Sequence, residues 1–519
     1  MKKIAFLSLL ISSLGSVVPS ASALELSHLS TVKLGAFDAG AAEMLSYDAA
    51  TKQIFTINSE EKNIAVIDLA DPVSAKLSNT LDISEYGNAP NCIDTNGTLV
   101  AVAIEAKDKQ AKGKVAFFTT AGEFGGVVDA GALPDSVIFT PDGNYCLAAN
   151  EGEPSDDYKT DPEGSVTILD VSDGTVGAVT QVSFAELERT EGVRIFGPGA
   201  TPAQDLEPEF IACSADSTTA WVMCQENNAV VTVDIATGKA VSIKALGTKD
   251  HSIEGNGFDA SNKSDAVEIK TWPVKGLYLP DGIASFEVSG KTYIATANEG
   301  DAREYIVELE SGEEEEAFSE EIRVKDLALD PTAFPNAEEL QDSAALGRLK
   351  STTTLGDTDG DGDFDEIYSY GARSFSIWDD QWNLVFDSGD QFEQVTAKAL
   401  GEGFNSNNDE ADSFKNRSDD KGPEPEAVVI GEVKGKTYAF ICLERVGGIM
   451  VYDVSVPAEA AFVTYHNHRD FTADIESLEA GDLAPEDIAF IPAADSGNGK
   501  PLIAVANEVS GTVSVFVIE

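Results

Sequence analysis

A short strand ending in an acid recurs along this chain: IAVID at 64–68, VTILD at 166–170, VVTVD at 230–234, FSIWD at 375–379 and IMVYD at 449–453. Looser copies are KVAFF (114–118), YIVEL (305–309) and TVSVFV (512–517). Runs of this length and β-branched content read as strands, some of them buried on both faces. A hairpin precedes the copies. PDSVIF (134–139), the turn PDGN and YCLAANEG (145–152) give strand, tight turn, strand. LPDGIASF with TYIATANEG (279–300) and APEDIAF with PLIAVANE (484–508) repeat the arrangement. A four-stranded unit cannot bury its faces alone, and radial repetition solves that problem as a β-propeller. The expectation is therefore an all-β propeller over 24–519 as a single domain. Eight motif copies predict eight blades, or seven if the irregular stretch 310–350 is not one. The segment STVKLGAF (30–37) is expected to complete the last blade beside VSVFV.

The N-terminus suggests a compartment. Lys2 and Lys3 precede an apolar run from Ile4 to Leu14, and Ala21-Ser22-Ala23 offers small residues for cleavage. That is the layout of a signal peptide over 1–23, too short for a membrane span. No later stretch is long and apolar enough to span a bilayer, and no anchor is expected after the last strand. A secreted or periplasmic protein is expected. Cys92, Cys146, Cys213, Cys224 and Cys442 are odd in number and far apart, so they read as buried small hydrophobes rather than a disulfide framework.

The formal charge of −55 excludes partners that need a basic face, nucleic acid and anionic membranes among them, and leaves cations as natural small partners. The acids are not evenly spread. One set opens the innermost strand of each repeat: Glu43, Asp135, Glu209, Asp281, Glu426 and Glu486, with Asn91 in the second copy. Another lies just past the second strand: Glu105, Glu151, Glu226, Glu299, Glu444 and Glu508. In an up-and-down blade these two places face the same side, so both sets are expected to converge on one channel mouth. Clustered carboxylates raise one another's pKa unless a cation neutralises them, and oxygen ligands of this kind suit Ca²⁺. Arg303, Arg373 and Arg445 lie in the same loops and would equip such a mouth to grip a phosphate or another oxyanion. The bland reading has these acids solvated or bonded to loop backbone.

GDTDGDGDFDE (356–366) reads as a calcium loop. Asp357, Asp359 and Asp361 occupy positions 1, 3 and 5, Gly362 the turn position, Asp363 position 7 and Asp365 position 9. Position 12 is Tyr368 rather than Glu, so another residue such as Glu366 would complete it. If the loop joins strands one and two of its blade, it lies on the face opposite the acid rings. His466 and His468 have metal-like spacing but no third partner, and read as surface residues. ESGEEEEAFSEE (310–321) reads as a solvated insertion. NDEADSFKNRSDDKGPEPE (408–426) reads as an exposed polar loop whose Asp and Arg417 lie within reach of the mouth.

LPDGIASF with TYIATANEGDAR, LGDTDGDGDFDEIYSYGARSFSIWD, FDSGDQFE, NRSDDKGPEPE, LERVGGIMVYD and GDLAPEDIAFIP resemble the choice-of-anchor I family over nearly all of the chain past the leader. The resemblance implies a β-propeller at or outside the cell surface. The family includes animal mesenchyme-specific cell-surface glycoproteins associated with biomineralisation, and its bacterial members are often labelled alkaline phosphatase. Two functions follow as expectations. One is a secreted, calcium-binding propeller acting as a binding or scaffold module, with phosphate esters or extracellular matrix components as partner classes. The other is a calcium-dependent phosphoesterase using Glu299, Asp281, Glu426 and Glu444 to hold Ca²⁺, with Arg303, Arg373 and Arg445 clamping phosphate.

Overall fold

The computed structural model describes residues 24–309 and 314–519. The expected leader, 1–23, lies outside the described residues. Among the described residues there are seven four-stranded antiparallel sheets, six of them with their strands in chain order. Blade 3 is the simplest: Pro134–Phe139, Tyr145–Asn150, Ser165–Asp170 and Val179–Ser183. The first strand of each blade packs against the first strand of the next, and that of blade 7 packs against that of blade 1. The ring is therefore closed, which makes the fold a seven-bladed propeller.

Closure uses the N-terminus. Leu26–Lys33 pairs antiparallel with Thr512–Ile518 and becomes the outer strand of blade 7. Middle strands such as Leu99–Ile104, Leu502–Asn507 and Thr512–Ile518 are buried along their whole length, as their continuous apolar runs require. Successive blades share apolar cores; Leu147 and Val166 of blade 3 pack with Val222 and Val231 of blade 4. The five cysteines are buried and free.

The count of eight is corrected to seven. YIVEL is not a blade strand. Glu304–Glu308 pairs with Glu314–Ser319 as an isolated hairpin, so part of the acidic run expected to be loop is strand. That hairpin lies in a long excursion of blade 5, between its second strand, Lys291–Asn298, and its third, Ser374–Asp379. The excursion makes a parallel pairing with the connection from blade 4, through Tyr368–Ser369 and Lys275–Leu277. The two share an apolar cluster of Phe258, Trp272, Val274, Val324, Leu327, Leu340, Leu346 and Ile367. A subsidiary core of this kind gives the described part of the excursion apolar burial of its own, as in a small domain. Its root is tight: Gly300 (φ +94°) and Gly371 (φ +69°) pack backbone to backbone, where a Cβ on either would overlap the other strand.

Candidate functional site

The inner strands aim their acids by a recurring backbone device. In blades 2, 3, 6 and 7 the strand opens with Pro and the pairing register skips just after it. The residue left out of register is Asn91, Asp135, Glu426 with Ala427, or Glu486. A bulge at a strand end kinks the chain and redirects the extra side chain. The residue before Pro is held at positive φ in Leu133 (45°), Leu279 (39°), Glu424 (51°) and Ala484 (55°). None of these is glycine, so each carries local strand-entry strain beside the ring of acids.

The result is a cavity of about 390 Å³ bordered by Glu43, Asp135, Glu151, Glu209, Glu226, Asp281, Glu299, Asp301, Glu426, Glu486 and Glu508, with Asn91 and Gln225. Both expected sets therefore meet at one mouth. Glu105 is an exception. It does not border the cavity, and it accepts a hydrogen bond from Asn88 Nδ2 at 2.5 Å. Glu444 is not among the bordering residues, but it offers an oxygen within 4.8 Å of oxygens of Glu299 and Glu426, and an oxygen within the same distance of Glu486 and Glu508.

These groups are hard to ionise. Burial first, then neighbouring carboxylates, pushes Asp135 up to about 7. Burial raises Glu299 to about 8 and Glu444 to about 7, against the pull of Lys421 and Arg445. Glu43 rises to about 7 by burial, although Ser59 Oγ donates to it at 2.7 Å. Glu151, Glu209, Glu426 and Glu486 are driven well above the usual carboxylate range, again by burial and then by other acids. Glu209, Glu226 and Glu426 are each more than nine-tenths buried, and each carries one carboxylate oxygen with no hydrogen-bond partner. Buried polar atoms are normally satisfied, so unpartnered oxygens on residues that border the cavity are groups that could hold a cation.

The cations of the mouth differ from those expected. Arg303 does not border the cavity. It is 3% exposed, with Asp205 at 2.7 Å, Glu207 at 2.8 Å and the Phe196 ring beneath it. Arg373 is equally enclosed, paired with Glu393 at 2.8 Å, donating to the carbonyls of Asp259, Ser418 and Asp420, and stacked on Phe258. Both fasten the blade 5 excursion and the neighbouring loop. Arg445 alone of the three stays near the mouth, 3.1 Å from Glu444 and 3.2 Å from Glu424.

The polar loop 408–426, expected to be exposed, is exposed at 409–412 and 414 but buried from 418 to 426, where it folds against the mouth. It brings Lys421, which sequence reasoning passed over, to 2.5 Å from Glu299, 3.3 Å from Glu424 and 3.6 Å from Asp301. Asn408 of the same loop donates to Glu444 at 2.9 Å. Burial would raise Glu424, but Lys421, Arg417 and Arg445 outweigh it and hold that carboxyl at about 2. A signal for Lys421 was present: its segment runs directly into the strand that carries Glu426.

The calcium-loop motif has a turn geometry of its own. Asp357 accepts from the backbone N–H of Gly360 at 2.7 Å and Gly362 at 3.1 Å, and Gly362 sits at φ +98°. Oxygens of Asp357, Asp359 and Asp361 come within 4.8 Å of one another. Asp363 and Asp365 do not join them; they cluster with Asp330 instead. Glu366 is engaged elsewhere, with Lys275 and the Tyr368 hydroxyl each at 2.5 Å. The loop lies between strands two and three of blade 5, so its excursion leaves from the same edge as Glu299 and not from the opposite face. His466 and His468 lie at the closing seam, where His468 stacks on His28 with ring centres 4.2 Å apart and meets Asp482 at 3.0 Å.

No described helix is long and apolar enough to cross a membrane. The chain is 31% identical over 188 residues to Gigasin-3a of Magallana gigas, covering 34% of this chain and 66% of that protein. It is 25% identical over 348 residues to the mesenchyme-specific cell surface glycoprotein of Strongylocentrotus purpuratus, covering 58% of this chain and 44% of that one. The chain thus spans less than two thirds of the length of either relative. Solved structures with a similar course include a Kuenenia stuttgartiensis hydrazine synthase chain at TM-score 0.47 and 11% identity, covering 93% of this chain and 97% of that one. The Myceliophteria thermophila Cps50 β-propeller domain follows at TM-score 0.43 and 8% identity, covering 94% and 100%. The family model for the choice-of-anchor I domain matches residues 43–457, and the chain belongs to that family.

Proposed function

We propose that this protein is an extracellular, calcium-binding propeller that acts as a binding or scaffold module, with its principal cation site at the acidic mouth. The observation that carries this reading is the set of buried, unpartnered carboxylate oxygens on Glu209, Glu226 and Glu426 within a ring of acids. Hard cations take six to eight oxygen ligands from carboxylates and carbonyls, and a ring of this composition supplies them. The Asp357–Asp359–Asp361 turn adds a second, more exposed calcium site. An extracellular setting is supported by the cell-surface relative and by a net charge of −55, which suits a medium rich in divalent cations.

Hydrolysis of phosphate esters at the same mouth would need guanidinium groups facing the cavity. Two of the three candidates, Arg303 and Arg373, are committed to buried ion pairs. The binding reading therefore has more support than the hydrolytic one. Calorimetric titration of calcium into the full chain and into Glu426→Gln tests it. A heat of binding that weakens at least tenfold in the variant is the expected result. Equal binding by both proteins would overturn the mouth as the principal site.

A further inference from the structure

The mouth is not a uniform ring of acids. Two groups of carboxylate oxygens lie within coordination reach: Glu299, Glu426 and Glu444 form one, and Glu444, Glu486 and Glu508 form the other. Glu444 belongs to both. We propose that the mouth holds two divalent cations side by side, one on Glu299 and Glu426 and the other on Glu486 and Glu508, with Glu444 as the carboxylate they share. This inference rests on the mouth being a cation site.

Carboxylates outnumber the cationic side chains around these two groups. Glu299, Glu424, Glu426, Glu444, Glu486 and Glu508 are six carboxylates, faced by three cationic side chains, Lys421, Arg417 and Arg445. The first group also has its own sign of a missing ligand, because Glu426 is 6% exposed and its Oε2 has no partner. Hydrogen bonding leaves Glu444 suited to sharing. Asn408 Nδ2 donates to its Oε1 at 2.9 Å and Arg445 lies 3.1 Å from its Oε2, so the side chain is oriented from both oxygens. Outer partners of this kind fix a ligating carboxylate and are a recurrent feature of built metal sites. Carboxylates shared between two adjacent ions are the usual bridge in two-metal centres.

The two groups draw on different blades. Glu299 comes from blade 5, Glu426 and Glu444 from blade 6, and Glu486 and Glu508 from blade 7. Glu444 is thus placed between the blades on either side, which gives a clear substitution pattern.

The test is a count of tightly bound Mn²⁺ on the full chain by elemental analysis after gel filtration, comparing wild type with Glu426→Gln, Glu508→Gln, their double variant and Glu444→Gln. Each of the first two single variants is expected to lose one ion relative to wild type. The double variant is expected to lose two, as is Glu444→Gln. An exchange-coupled multiline electron paramagnetic resonance signal in wild type, absent from every variant, is the accompanying expectation. Loss of a single ion in the double variant would overturn the two-ion arrangement while leaving the mouth as a cation site. Loss of none would overturn both. The double variant keeps the test decisive if Glu444→Gln does not fold.

Discussion

Lys421 places its ammonium 2.5 Å from the carboxylate of Glu299, joining the loop before blade 6 to the end of the second strand of blade 5. Burial lifts Glu299 to about 8 even with that ammonium beside it. Without it, Glu299 is pushed higher still and keeps its proton to more alkaline pH rather than stand as an unpaired buried anion. Lys421 also faces Glu424, which stays ionised throughout this range, so Lys421→Met should cost about 3–5 kcal/mol already at pH 5.5 and more at pH 8.5, where Glu299 of the wild type gives up its proton. Urea unfolding in EDTA at the two pH values measures it. An equal loss at both would mean that Glu299 is not the group Lys421 serves.

The mouth also sets the pH dependence of the metal-free protein. Glu43, Asp135 and Glu444 at about 7 and Glu299 at about 8 lie above the unfolded carboxyl value of roughly 4. Between those limits the folded state binds more protons than the unfolded one, so stability falls as pH rises. The contribution is complete below the unfolded value and is lost as pH passes 7 to 8. Melting temperature in EDTA should drop from pH 5 to pH 8. Calcium, which binds the deprotonated acids, should flatten that slope and release protons on binding.

Arg303 separates a structural role from a catalytic one. Its guanidinium lies between Asp205 and Glu207 with almost no exposure. Arg303→Met should cost about 3–5 kcal/mol of unfolding free energy, since two buried carboxylates lose their partner. Calcium affinity at the mouth should change less than threefold. A stable variant with weakened calcium binding would place Arg303 in the site.

The exposed turn is a separate case. Asp357→Ala removes the acceptor for Gly360 and Gly362 along with one of three clustered carboxylates. It should abolish one class of calcium site in a titration and leave the mouth class unchanged. Loss of both classes together would show that the two sites are coupled.

The blades and the acid positions were legible in the sequence because each blade is written locally. Its hairpin, its Pro-acid start and its third strand follow within about fifty residues. Blade 5 broke the rule. Asn298 and Ser374 are direct pairing partners across the excursion, and YIVEL has the same period-two pattern as a blade strand. Pattern alone does not show which strand completes a sheet across such a gap. The arginines misled for a related reason. Proximity in sequence to the ring acids placed them near the mouth, whereas Asp205 and Glu393, which neutralise Arg303 and Arg373, come from distant segments. Lys421 likewise reaches Glu299 across more than a hundred residues, a contact that tertiary folding creates and spacing does not encode.

Anomalous scattering from crystals of the full chain grown with Mn²⁺ addresses the mouth most directly. A peak within coordination distance of Glu299, Glu426 and Glu444 is the predicted result, with a second at Glu486 and Glu508 if Glu444 is shared. Peaks confined to the turn at Asp357, Asp359 and Asp361, with none at the mouth, would contradict a cation site there.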